Sequence, residues 1–149
     1  MTNQSTQPAG DGVTTTNCSN DEGEGWGRGQ GWGNGVDRLG GYRLALELAT
    51  VAPTLVPRGH AALKDQIDRA STSVVLTLAE GWGRWQAREK VQFYCISRGS
   101  VVEVRACIDV IEARGLASQQ ACAAARALAE RVARILTGLI RSVETRGRG

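Results

Sequence analysis

Apolar residues recur at spacings of three and four through most of this chain, the period of amphipathic helices. Leu63, Ile67, Ala70, Val74 and Leu78 form one such stripe and predict a helix over 60–80. The next helix is predicted over 87–114. Tyr94, Val101, Val104, Ile108 and Ile111 line one of its faces, and Phe93, Ile96, Cys107 and Val110 a neighbouring one. The last is predicted over 118–143, where Leu128, Val132, Ile135, Leu139 and Val143 form a stripe widened by Leu136 and Ile140. Ahead of these, 42–49 is made of strong helix formers and is stopped by Pro53 and Pro57. Gly81 and Gly83 are expected to end the second helix and Gly115 to cap the third. Ser118 is expected to cap the start of the fourth. Four amphipathic helices with short links give an all-α fold, an up-down-up-down four-helix bundle. The third helix is apolar around more than one face, which hints at a subunit interface.

Residues 1–36 break the pattern. They are Gly, Ser, Thr and Asn with few aliphatics, and so are expected to be a disordered tail ahead of a bundle domain at 37–149. Within the tail, Glu24-Gly25-Trp26-Gly27-Arg28-Gly29-Gln30 echoes Glu80-Gly81-Trp82-Gly83-Arg84-Trp85-Gln86 at six of seven positions. That is either mimicry of a site in the domain, low-complexity coincidence, or a reading frame opened too far upstream. The GxG pairs of the tail lack the flanking strand of a nucleotide fingerprint.

Composition narrows the class. Aromatics are 5% of the 149 residues and Pro only 3, which disfavours an all-β sandwich. The glycines have no three-residue period, so the chain is not collagen-like. No apolar run approaches the length of a membrane span. The N-terminus has neither a charged nor an apolar signal region, so a cytoplasmic location is expected. The four cysteines, Cys18, Cys95, Cys107 and Cys122, show no paired spacing. They are expected to be free thiols, with no metal and no cofactor. His60, the single histidine, is expected to be a turn residue at the start of the second helix.

Charge carries the candidate chemistry. Residues 37–149 hold 17 basic and 11 acidic residues, a net of +6, and the whole chain has only two lysines. Arginine suits phosphate and base stacking, although a GC-rich genome also produces it. On a helical wheel with Arg126 as zero, Arg141 falls at about 60°, Arg134 at about 80° and Arg131 at about 140°, while the apolar stripe occupies roughly 180–320°. These four arginines are expected to form a ridge away from the core. It is either a phosphate-binding surface or an ordinary solvated face. A second cluster, Trp82, Arg84, Trp85 and Arg88, lies at the turn after the second helix. Its indoles either stack unpaired bases beside the arginines or fold back to seal the bundle.

Arg69 and Glu80 lie too far apart along one helix to meet. Each is expected to pair across to another helix, with Glu103 or Arg105 as candidates. Gly99-Ser100 is expected to permit close helix approach, and it lacks the strand-turn-helix of a nucleophile elbow. No pair of carboxylates and no His-based arrangement suggests catalysis, so a non-enzymatic protein is expected.

Several of these residues carry a resemblance. Leu63-x-x-Gln66-Ile67-x-Arg69-Ala70-x-x-Ser73-Val74, then Leu78-Ala79-Glu80-Gly81, Gly99-Ser100-x-x-Glu103 and Arg114-Gly115-Leu116, resemble the four-helix-bundle family encoded by intervening sequences in bacterial 23S ribosomal RNA genes. Thr77 stands where that family usually has Asn. The chain is also similar to the accessory proteins of diversity-generating retroelements, through Pro57-Arg58-Gly59-His60 and 132–140. The resemblance covers about 39–146 and implies a homopentamer without enzymatic activity. In the retroelement branch it further implies nucleic-acid binding and a reverse transcriptase partner. Five copies would carry roughly +30 in charge, enough to steer polyanions. The alternative is an assembly module that forms a ring and binds no nucleic acid.

Overall fold

A computed structural model of the protein describes residues 40–146. The expected disordered tail, its echo of 80–86, and Cys18 lie outside the described residues. Those residues form α1 (Gly40–Val51), a 3₁₀ turn (Ala52–Leu55), α2 (Ala61–Gly83), α3 (Ala87–Ala113) and α4 (Gln119–Arg146), with no strand among them. None of the described helices is long and apolar enough to cross a membrane.

α1 buries Gly41, Ala45 and Leu48, one helical face. A Cβ on Gly41 would lie 2.7 Å from Ile135 Cγ2, so glycine lets α1 approach α4 closely. Pro53 does not simply stop α1. It sits in a 3₁₀ turn whose Ala52, Pro53 and Leu55 are buried, and its carbonyl accepts from Lys64 Nζ at 2.8 Å. α2 then buries Ile67, Ala70, Val74, Val75 and Leu78.

Gly81 does not end α2, which runs on to Gly83. Gly81 is buried, and a Cβ there would meet the Tyr94 ring at 2.7 Å and Phe93 Cβ at 3.0 Å. Its lack of a side chain serves contact between α2 and α3, not termination. The end comes three residues later, where Arg84 N–H donates to the Gly81 carbonyl at 3.4 Å.

α3 and α4 form the long hairpin, each roughly 40 Å in length. Gly115, at φ +63°, closes α3: its N–H donates to the Glu112 carbonyl at 2.9 Å, and Leu116 N–H donates to the Ile111 carbonyl at 3.0 Å. Ser118 Oγ accepts from Ala121 N–H at 3.1 Å and caps α4. The link is short enough to force α3 and α4 antiparallel.

Register follows from named contacts. The Ser73 and Ser100 hydroxyls lie 2.9 Å apart, and Ser97 Oγ donates to the Val74 carbonyl at 2.8 Å, so α2 and α3 run antiparallel. Arg105 pairs with Glu130 and Arg126 with Asp109, which fixes α3 against α4. The helices therefore alternate in direction around one core of Leu48, Ile67, Leu78, Tyr94, Ile108, Ile111, Val132 and Leu136. The α2–α3 turn and the C-terminus of α4 share one end of the bundle.

The seam contacts overturn some expectations. Arg69 pairs with Asp65 at 3.2 Å and donates to Gln66 Oε1 at 3.0 Å, while Glu80 pairs with Arg84, all within or just beyond α2. Neighbours one turn away reach these exposed groups at lower entropic cost than partners on another helix. Gly99 is exposed, with nothing within 4 Å of a Cβ built on it. Ser100, not Gly99, meets α2.

Candidate nucleic-acid interface

The ridge expected on α4 divides in two. Arg126 lies on the edge of α4 that faces α3, and its side chain is only 25% exposed. Its guanidinium donates to Asp109 Oδ1 through Nε at 3.2 Å and Nη2 at 2.9 Å, and also to Glu112 Oε2. Those bonds, to Glu112 first and Asp109 second, raise its pKa further, so it is a fixed cation already matched by two carboxylates. Arg126 is therefore a strut between α3 and α4 and not part of an open phosphate surface.

Arg131, Arg134 and Arg141 are exposed, and their guanidinium groups make no hydrogen bond or ion pair among the described residues. From 131 to 146, α4 carries these three and Arg146 against Glu144 alone. The acids that balance arginine, Asp109, Glu112 and Glu130, all sit toward the α3–α4 link. Charge is thus segregated along the hairpin, with the half near the link compensated and the half near the α2–α3 turn basic.

Arg98 joins the basic half. It is exposed on α3, seven residues before Arg105 and so on the same side of that helix. The register that pairs Arg105 with Glu130 carries Arg98 level with Thr137, between Arg134 and Arg141 along α4. The seven-residue spacing of Arg98 and Arg105 was the available signal. It becomes informative only once the facing helix is known.

The turn cluster also divides. Trp82 is half-buried. Lys90 Nζ donates to its carbonyl at 3.0 Å and sits 5.8 Å from its ring centroid. Burial lowers the pKa of Lys90, which satisfies a carbonyl at the C-terminal end of α2. Arg84 pairs with Glu80 and lies 4.6 Å over the Phe93 ring. Trp82 and Arg84 thus close the end of the bundle. Trp85 is 70% exposed, and Arg88 is exposed as well.

The family-motif residues occupy another surface. Gln66, Arg69, Ser73 and Glu80 share one side of α2, and Gly99, Ser100 and Glu103 lie across the seam on α3. Gln66, Arg69, Glu80, Gly99 and Glu103 are exposed, Ser73 is partly buried, and Gly81 and Ser100 are buried. Beside them stand exposed Leu76, Ile96, Val102 and Val110, with Leu76 62% exposed. Level with Ser97 in the antiparallel register, Leu76 is one residue from Ile96. No group of three or more His, Cys, Asp or Glu side chains among the described residues is arranged to hold a metal.

A family model described as 23S rRNA-intervening sequence protein matches residues 40–138, from α1 through most of α4. Comparison with curated proteins gives no match.

Proposed function

We propose that this chain, which belongs to the 23S rRNA-intervening sequence protein family, is a non-enzymatic cytoplasmic protein that binds nucleic acid through the basic half of its α3–α4 hairpin. One observation carries the reading: Arg131, Arg134 and Arg141 project from α4 with no counter-charge among the described residues, while Arg126 on the same helix is fully matched. Phosphates bound there would release condensed counterions, the main source of affinity for a polyanion. Arg98 widens the patch onto α3.

The test is fluorescence anisotropy with a labelled RNA or DNA at about 50 mM salt, a concentration at which phosphate contacts are strong. Arg131, Arg134 and Arg141 changed together to Glu should abolish binding, and unchanged affinity would refute the reading.

A second reading rests on a different surface. Leu76, Ile96, Val102 and Val110 expose apolar area beside the polar family motif, and the side of α3 between them is made of small residues, Cys95, Gly99 and Ala106. A second copy of the chain fits such a face, because small residues let helix backbones approach while the larger apolar side chains lose water. A homo-oligomer, as the resemblance to pentameric relatives implies, would repeat the basic patch around a ring and add multivalency to it. Light scattering of the parent and of Val102→Asp tests this surface: an oligomer that the aspartate dissociates is the expected result. A reverse transcriptase as protein partner belongs to the retroelement version of this proposal, and a reverse transcriptase gene beside the coding sequence would select it.

A further inference from the structure

We infer that the basic half of the α3–α4 hairpin is also the docking surface for an acidic segment of this same chain, residues 11–24, which competes there with nucleic-acid phosphate. Such docking regulates the site proposed above, and the competition rests on that reading.

The segment and the surface match in charge. Residues 11–24 hold Asp11, Asp21, Glu22 and Glu24, and neither Lys nor Arg. Arg98, Arg131, Arg134 and Arg141 are exposed, and no carboxylate among the described residues pairs with them. The other half of the hairpin offers the segment nothing comparable, because Arg105 and Arg126 already serve Glu130, Asp109 and Glu112.

The point of attachment matches as well. The segment precedes α1, which begins at Gly40. Gly41 packs against α4, where a Cβ on it would lie 2.7 Å from Ile135 Cγ2. Arg134 directly precedes Ile135, Arg131 stands one turn before it, and Arg141 lies about 9 Å further along the axis. The chain thus enters the domain on the flank of the arginines. Residues 25–39 separate Glu24 from Gly40, and six of them are glycine. A glycine-rich chain of that length spans about 19–23 Å in root mean square. Arg131 and Arg141 are only about 15 Å apart along the axis, so the whole patch is within reach.

The tether decides the strength. Exposed carboxylate–arginine pairs are weak singly, and four together give a dissociation constant on the order of 1 mM. The attachment holds the segment at an effective concentration of about 1–4 mM. The patch is then free about a fifth to a half of the time, and its apparent affinity for nucleic acid is lowered by that fraction.

The experiment measures binding of a labelled 12-base-pair RNA duplex to the full chain by anisotropy at about 50 mM salt. Asp11→Asn, Asp21→Asn, Glu22→Gln and Glu24→Gln together should tighten binding about 2- to 5-fold. A plain loss of repulsion would also raise affinity, so contact is read separately. The only lysines of the chain are Lys64 and Lys90. Arg134→Lys with Arg141→Lys puts amines into the patch. A zero-length carbodiimide should then join them to Asp21, Glu22 or Glu24 within one chain, and excess duplex should suppress the product. The inference is overturned by the absence of that cross-link, by a cross-link that joins two copies instead, or by a neutralised segment that leaves duplex affinity at the parent's value. The nucleic-acid reading survives all three results. It fails instead if changing Arg131, Arg134 and Arg141 to Glu leaves duplex binding intact, and the cross-link alone then decides the docking.

Discussion

Gly81→Ala probes the approach of α2 to α3. The added Cβ would meet the Tyr94 ring at 2.7 and 2.8 Å and Phe93 Cβ at 3.0 Å. Two effects oppose each other. Alanine in a helix interior is favoured over glycine by about 1 kcal/mol. Overpacking a filled site costs about 1–3 kcal/mol. The Tyr94 ring is 2% exposed, and both clashing groups belong to α3, so relief requires parting the helices and not merely rotating a side chain. The cost thus falls in the upper part of that range, for a net destabilisation of about 1–2 kcal/mol. Gly138→Ala is the control. Gly138 lies inside α4 with nothing within 4 Å of the added Cβ, so only the gain of about 1 kcal/mol remains. The two alanine variants should therefore shift stability in opposite directions. Their melting temperatures should differ by on the order of 10 °C or more. Circular dichroism at one protein concentration measures both, which matters if the chain self-associates. A Gly81→Ala protein that melts at or above the parent would refute the close-approach argument.

Further expectations concern the thiols and the buried tyrosine. Cys95 is exposed, whereas Cys107 and Cys122 are buried, with their thiol pKa values raised by burial first and then by Glu103 and Glu112 respectively. Among these three, brief alkylation near neutral pH followed by peptide mapping should modify Cys95 alone, with the other two reacting only on unfolding. Burial pushes the Tyr94 phenol up from 10.0 to about 12. The unfolded chain then loses that proton first. Stability should be unaffected by Tyr94 below pH 10 and should fall by up to about 1.4 kcal/mol per pH unit between 10 and 12. Urea titrations across that window, compared with Tyr94→Phe, measure the tyrosine's share, and equal slopes for the two proteins would contradict it.

The elements were legible because each local signal agreed with the fold. Leu63, Ile67, Ala70, Val74 and Leu78 lie on the inner side of α2, and Gly115 and Ser118 punctuate the hairpin as their chemistry requires. What stayed hidden depends on register between helices. Arg126 looks like a ridge member on its own wheel. Its partners Asp109 and Glu112 are 17 and 14 residues away and reach it only because the chain turns back at Gly115. Gly81 likewise reads as a terminator until Tyr94 is known to lie against it. The pairing of Arg69 and Glu80 went to near neighbours because both are exposed, where short-range partners win. The exposed Leu76 is a different case: it falls outside the core stripe of its own helix, so its outward position was available from the periodicity alone.

The central claim is that the uncompensated arginines of α4 meet phosphate. It is tested most directly by the slope of log binding constant against log salt for an RNA duplex. Changing Arg131, Arg134 and Arg141 to Ala should make the slope shallower by about 2 to 3, close to one unit per lost phosphate contact. Arg126→Ala should leave the slope as it is, because that guanidinium already serves Asp109 and Glu112. Identical slopes for the parent and the triple variant would contradict the account.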